Sequence, residues 1–176
     1  MSVNEELQEH AHHAADPLSR KAGATMAIIA AMLAIVAVSG HMATTEELLN
    51  QIEASDQWAY YQAKSSRRYQ SDVAKDILST MPGEPAAKLT EKYNANIEKY
   101  VKEGEEVSVK AKEFAAESHA AGKRAVRFHF GEVFLEIAIV VCSLAILTKR
   151  EIAWYAAMLS AGIGVAVSLT VFTITH

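Results

Sequence analysis

The feature that most constrains this chain is the separation of its charged residues from its apolar ones. Residues 22–43 and residues 152–175 contain no Lys, Arg, Asp or Glu, whereas charged residues are frequent between residues 44 and 126. A soluble domain mixes the two classes, because each of its helices needs a water-facing side. At a rise of about 1.5 Å per residue, each uncharged stretch forms a helix about as long as the hydrocarbon layer is thick. We therefore expect both stretches to span a membrane.

A third span is expected over residues 129–148, although this stretch carries Glu132 and Glu136. Its other residues are mostly apolar, and the charged residues 149–151 form a short turn before the last span. Spans two and three therefore form an antiparallel pair. The first span follows two basic residues, as the apolar part of a signal peptide does. It is longer than the apolar segment of a typical signal peptide, so we expect it to remain in the chain.

Residues 44–128, between the first two spans, are expected to form a long helical hairpin outside the membrane. Thr44 and Thr45 precede two glutamates, a pattern typical of a helix start because threonine caps and acids suit a helix N-terminus. The sequence Pro-Gly-Glu-Pro at residues 82–85 predicts a turn, since proline removes a donor and disfavours helix in the residue before it. A second helix begins near Ala86 and continues into the second span. The predicted fold is therefore all-α: three transmembrane helices with an extramembrane antiparallel, coiled-coil-like hairpin between the first and the second.

Both arms of the hairpin carry a row of residues at alternating steps of three and four, the spacing of coiled coils. In the first arm the row is Leu48, Ile52, Ser55, Ala59, Gln62, Ser66, Tyr69, Val73 and Ile77. In the second arm it is Leu89, Tyr93, Asn96, Tyr100, Gly104, Val107, Ala111, Phe114, Ser118, Ala121, Ala125 and Phe128. Folding about the turn sets large residues of one row against small residues of the other. We expect these two rows to form the contact between the arms.

Three aromatic residues of the first arm do not fit a lone hairpin. With Ala59 in the contact row, Trp58, Tyr60 and Tyr61 point in three different directions around the helix. One partner helix cannot cover all three. They either lie half-buried along a water-exposed helix, contact another chain or line a ligand site. Aromatic residues are enriched at protein interfaces, so we expect them to form an oligomer contact.

A twelve-residue stretch, ASDQWAYYQAKS at residues 54–65, resembles the signature of a bacterial membrane-protein family known only as a domain of unknown function. The similarity extends over nearly the whole chain. It includes the His-rich residues 9–13, the Gly40-His41 pair that ends the first span, and the basic turn at residues 148–150. The resemblance implies three spans in a bacterial membrane. It implies no activity.

The basic residues outside the hairpin favour one orientation in the bacterial inner membrane. They are Arg20, Lys21, Lys149 and Arg150, and all four lie on one side of the membrane if the chain spans it three times. The positive-inside rule then puts the N-terminus in the cytoplasm and the hairpin in the periplasm. The basic residues just before span two, Lys123, Arg124 and Arg127, argue for the opposite orientation. The rule weakens for loops as long as this hairpin, so we expect the hairpin outside.

Glu132 and Glu136 are the residues most suggestive of chemistry, because carboxylates are costly inside a bilayer. They lie one turn apart on one helix face, and His129 precedes Glu132 by three residues. Extending the hairpin register into the membrane places Glu132 near Ala34 and Glu136 near Ala30. In an oligomer such carboxylates could form an acidic ring that lines a cation path. In the alternative, Glu132 is interfacial and Glu136 is neutral and hydrogen-bonded to a neighbouring helix.

Small residues recur every four positions in span three, at Ala156, Ser160, Gly164 and Ser168. Such rows let membrane helices approach closely, either within one chain or between chains. The polar segment of residues 1–21 holds three neighbouring histidines, His10, His12 and His13, which we interpret as a solvated tail and not as a metal site.

No pattern in the sequence indicates a nucleophile–base pair, a phosphate-binding glycine loop, a cofactor or a basic patch for nucleic acid. We therefore expect a non-enzymatic membrane protein without a cofactor that assembles with copies of itself through its hairpins. The first alternative is an oligomeric cation or proton channel lined by the span-two glutamates. The second is a membrane sensor, although the sequence contains no cytoplasmic signalling domain.

Overall fold

A computed structural model of the chain describes residues 17–81 and 83–173. Helix α1 is Pro17–Ser79, α2 is Glu84–Thr148 and α3 is Glu151–Leu169, which is followed by the 3-10 turn Thr170–Thr173. The described residues contain no β-strand, so the all-α prediction is confirmed. The three N-terminal histidines, Pro82 and the last three residues of the chain lie outside the described part.

Helices α1 and α2 are each more than 60 residues long, and the chain turns between them where the sequence predicted it. The backbone N–H groups of Thr80 and Met81 donate to the carbonyls of Ile77 and Leu78, which closes the last turn of α1. Gly83 then has φ 125°, a conformation that only glycine adopts at low cost. The second helix begins two residues before the predicted start near Ala86 and runs on without a break into the predicted second span.

The predicted helix start at Thr44 is wrong, because α1 continues through this position. The Thr44 hydroxyl donates to the carbonyl of Gly40, 3.1 Å away and one turn earlier in the same helix. A threonine can make this bond inside a helix as well as cap one. Without a proline or a left-handed residue nearby, nothing in the backbone ends the helix there.

The contacts divide the chain into two compact units, each described here by itself. We call residues 17–44 and 122–173 the span unit, and Thr45–Ala121 the arm unit. All three helices are long enough and contain a stretch apolar enough to cross a membrane. This agrees with the predicted number of spans.

The span unit has its core where α1, α2 and α3 meet. One cluster consists of Ile29, Val36, Leu135, Ala138 and Ala161, and another consists of Ala22, Cys142 and Ala157. Two hydrogen bonds link the helices near the second cluster. The Cys142 thiol donates to the carbonyl of Ala22 at 3.2 Å, and the indole N–H of Trp154 donates to the Thr25 hydroxyl at 3.1 Å.

Helices α2 and α3 approach closely at the small residues of α3. The Ser160 hydroxyl donates to the carbonyl of Phe134 at 2.8 Å. Gly164 and Ser168 are buried, and a methyl group added to Gly131 would lie 2.0 Å from the Ser168 hydroxyl oxygen. Three members of the predicted row therefore pack against α2 of the same chain. Ala156, the fourth, is exposed.

The two arms of the arm unit, arm A (residues 45–79) and arm B (residues 84–121), pack antiparallel. Near the ends that join the span unit, the Ser118 hydroxyl donates to the carbonyl of Glu47 at 3.0 Å. Farther along, Lys64 pairs with Glu103, and the ring of Tyr61 lies next to Gly104. The predicted contact row of arm B is correct from Tyr93 onward, where its members are buried or half-buried, and wrong at Leu89, which is exposed. The predicted row of arm A is not correct.

Candidate functional site

The row predicted to hold arm A against arm B lies on the outside of the hairpin. Its large members are all exposed: Leu48 58%, Ile52 57%, Tyr69 68%, Val73 41% and Ile77 53%. The smaller members between them, Ser55, Ala59, Gln62 and Ser66, are exposed as well. We call these nine residues the outer stripe. Arm A therefore presents an apolar face of coiled-coil spacing that arm B does not cover.

Arm A faces arm B through a second row with the same spacing, two positions later in the sequence. Its central members are Ala54, Gln57, Tyr61, Lys64 and Ser71, all buried or half-buried. The Tyr61 ring lies against Gly104, where an added Cβ atom would be 3.6 Å from the ring, an ordinary van der Waals contact. Tyr61 therefore belongs to the face of arm A that meets arm B.

Lys64 is the charged residue at the centre of this contact and is 8% exposed. Its ammonium group pairs with the Glu103 carboxylate and lies 4.8 Å from the centre of the Tyr60 ring. The hydrogen bond to Glu103 raises the pKa of Lys64, and the hydrogen bond from Lys64 lowers the pKa of Glu103. Both groups are therefore charged at neutral pH, and a buried charge needs its partner.

The three aromatic residues of the signature are divided between the inside and the outside of the hairpin. Tyr61 is half-buried against Gly104 and meets Trp58 edge to face, with ring centres 5.6 Å apart. Trp58 and Tyr60 are exposed on the two sides of the inner row. The prediction that Ala59, and not Tyr61, lies in the contact row is therefore wrong. An oligomer contact through these aromatic residues stays a prediction, with Trp58 and Tyr60 as the accessible members.

The predicted polar residues of span two form a small cluster with the end of span one. In this cluster His129 Nδ1 lies 3.2 Å from Glu132 Oε2, and His129 Nε2 lies 3.2 Å from Thr44 Oγ1. The Thr44 proton is already donated to the Gly40 carbonyl. The His129 ring therefore links Glu132 of its own helix to Thr44 of α1.

The helix pairing around this cluster lies close to the predicted register. Gly40 lies beside Phe128 and His129. The residue numbers of these pairs add up to 168–169, and those of the predicted pair, Glu132 and Ala34, add up to 166, so the difference is less than one helical turn. At Gly40 an added methyl group would lie 3.1 Å from Phe128 Cβ, so the two helices approach closely there.

Glu136 does not join the cluster. Its side chain is exposed on the surface of the span unit, and so is Ala30, its predicted neighbour. The buried face of α2 here consists of Leu135 and Ala138. The carboxylate of Glu136 therefore lies on the side of α2 away from its buried face.

The described residues do not bring together the ligand groups that metal ions require. Within residues 17–81 and 83–173, no group of three or more His, Cys, Asp or Glu side chains could hold a metal ion. A groove between α1 and α3 is lined by apolar residues such as Ile28, Met32 and Met158. Thr25 is a polar residue of the same groove.

Comparison with known proteins agrees with the resemblance noted in the sequence. No match was found among curated proteins or among solved structures. Residues 18–174 match the family described as Domain of unknown function (DUF4337). The match covers all three helices, and the chain therefore belongs to this family.

Proposed function

We propose that this protein is a non-enzymatic scaffold of the bacterial inner membrane that assembles with copies of itself through its arms. In this proposal residues 22–43, 129–148 and 152–175 lie in the lipid, and the arm unit stands in water on the periplasmic side. The charge distribution supports that division, because arm A and arm B carry charged side chains over their whole length and the spans are nearly free of them.

The outer stripe is the observation that carries the proposal. Five large apolar residues on one face of a water-exposed helix are unfavourable unless something covers them. Each is roughly half exposed, and full burial of such a side chain contributes about 1.5–3 kcal/mol. Covering all five would contribute roughly 4–8 kcal/mol per copy before the entropy cost of association. That is enough to hold copies together when they are already concentrated in one membrane.

Two polar substitutions at the stripe test the proposal. Leu48→Asn combined with Ile52→Asn should lower the mass of the detergent-solubilised protein, measured by light scattering after size exclusion. The matched control is Met81→Asn, which changes an equally exposed apolar residue outside the stripe. The helical signal in circular dichroism should be unchanged in both variants. An unchanged mass in the stripe variant, or a monomeric wild type, would remove the proposal.

Glu136 supports a second candidate, an oligomeric cation or proton channel. Its carboxylate is exposed on a segment proposed to lie in lipid, where an ionised group is costly unless another chain covers it. In a closed assembly the Glu136 side chains of several copies would form an acidic ring. Glu136→Gln should then alter cation or proton flux in liposomes, whereas the scaffold predicts neither flux nor a change in mass. The exposed and chemically neutral Ser143→Ala in the same helix is the control.

A further inference from the structure

We propose that the outer stripe of arm A packs against the outer face of arm B of the next copy, so that the copies associate head to tail. This inference rests on the proposed self-assembly and specifies its geometry. Such a contact joins two different surfaces, and it produces a closed ring or an open row, not a two-fold dimer.

The contacts within one hairpin show which residues of the two arms lie at the same position along its length, which we call the same height. Ser118 meets Glu47 and Gln51, and Lys64 meets Glu103. The residue numbers of these pairs add up to 165–169. Copies inserted into one membrane in the same orientation point their arms in the same direction. Neighbours related by rotation about an axis along the arms therefore face each other at the same heights.

At equal height, the sizes of the facing side chains are complementary. Leu48 and Ile52 of the stripe would face Ala120 and Ala116 of the next arm B. Farther along, where the stripe has the small residues Ala59 and Ser66, arm B offers Val109 and Val101. All of these arm B residues are exposed in the single chain. Large residues thus meet small ones along the contact, as interdigitating helices require.

The charges beside the stripe are complementary as well. Asp56 lies at the height of Lys112, and Arg67 lies at the height of Glu98; all four are exposed. Lys112 and Glu98 are fourteen residues apart and share a helix face, on the side of arm B away from the buried Val107 and Ala111. Each charge of arm A thus lies at the height of an opposite charge of arm B: Asp56 at that of Lys112, and Arg67 at that of Glu98.

Pairing of two copies of arm A fits these charges less well. In a parallel pair the first half of arm A meets itself, and residues 44–63 hold four acids and no Lys or Arg. Like charges at that contact repel. An antiparallel pair of arm A would match Asp56 with Arg67 and Leu48 with Ile77, but it requires the two arms to point in opposite directions. Copies with one orientation in one membrane do not provide this.

Charge reversal distinguishes the three arrangements in the full-length protein. D56K and K112E should each weaken self-association in detergent by about threefold to tenfold per contact, and the double variant should restore it. The control is K110E, which has the same charge change two residues away but lies about 160° around the helix from Lys112. It should leave the association unchanged. The melting of the helical signal at high dilution should be the same in all variants.

The possible outcomes separate this inference from the proposed function. If self-association is weaker in D56K and in K112E and returns to the wild-type level in the double variant, head-to-tail packing is supported. If R67E restored the self-association of D56K and K112E had no effect, two copies of arm A would pair antiparallel. That result would overturn the inference but not the proposed self-assembly. Stronger association of D56K alone would show parallel pairing, with the same consequence. A wild type that is monomeric at every concentration would overturn both.

Discussion

Gly131 offers the sharpest test of the span unit, because the structure gives the size of the clash that a single methyl group would cause. A Cβ atom at residue 131 would lie 2.0 Å from the Ser168 hydroxyl oxygen and 2.8 Å from the Gly164 carbonyl oxygen. The serine could rotate away, but its hydroxyl now bonds the Gly164 carbonyl at 2.9 Å, and that bond would be lost. The contact with the carbonyl itself involves backbone and cannot be relieved by a rotamer change.

The expected destabilisation follows from these distances. To bring the methyl–carbonyl distance from 2.8 Å to an ordinary contact, α2 and α3 must move apart by roughly 0.6–1 Å. Overpacking of this kind costs about 1–3 kcal/mol, from which about 0.5–1 kcal/mol is recovered because alanine favours the helix over glycine. We expect Gly131→Ala to lower the stability of the span unit by about 1–2 kcal/mol.

The matched control is Gly162→Ala, in the middle of α3. An added Cβ atom there has no neighbour within 4 Å, so only the gain in helix propensity remains. We expect that variant to be as stable as the wild type or more stable by up to about 1 kcal/mol. Unfolding in detergent titrated with SDS, followed by the loss of helical signal, compares the two variants. If Gly131→Ala proved as stable as Gly162→Ala, the close approach of α2 and α3 would be refuted.

Three other predictions follow from the arm unit and from the proposed topology. The pKa of Glu103 lies below its ordinary value of 4.5, so the stability from its pair with Lys64 is present above that pH and lost as the pH falls through the lowered pKa. Between pH 5 and pH 3, thermal melting of Glu103→Gln should therefore depend less on pH than that of the wild type, whereas the exposed Glu105→Gln should behave as the wild type does. Tyr61→Ala should lower the melting temperature of the arms and Gln62→Ala should not, because only Tyr61 packs against Gly104; equal effects would contradict the assigned inner row. In a background in which Cys142, the only cysteine, is changed to alanine, a membrane-impermeant thiol reagent should label Ser79→Cys in cells with a permeable outer membrane. The same reagent should label Lys149→Cys only after the inner membrane is opened, and the reverse pattern would invert the orientation.

The accuracy of the sequence predictions differs between the arms for an identifiable reason. Arm B has one row of bulky and small residues at coiled-coil spacing, and the exposed apolar residues outside it are small or β-branched, so periodicity identified its inner face. Arm A has two such rows, and the more apolar one is the outer stripe. Choosing the inner face by hydrophobicity therefore selected the wrong row. In the span unit, likewise, the small row of α3 was visible in the sequence, but its closest partner, Gly131, was not.

The sequence by itself determined the helical class, the three apolar stretches and the turn at Gly83, because these depend on composition and on local backbone preference. Only the tertiary structure decided which face of arm A meets arm B and which residues of α1 His129 contacts. Those choices depend on single pairs of contacts between distant residues: the Tyr61 ring against Gly104, Lys64 with Glu103, and the close approach at Gly40. Periodicity constrains the faces that a helix offers, but it carries no information about which of two similar faces finds the better partner.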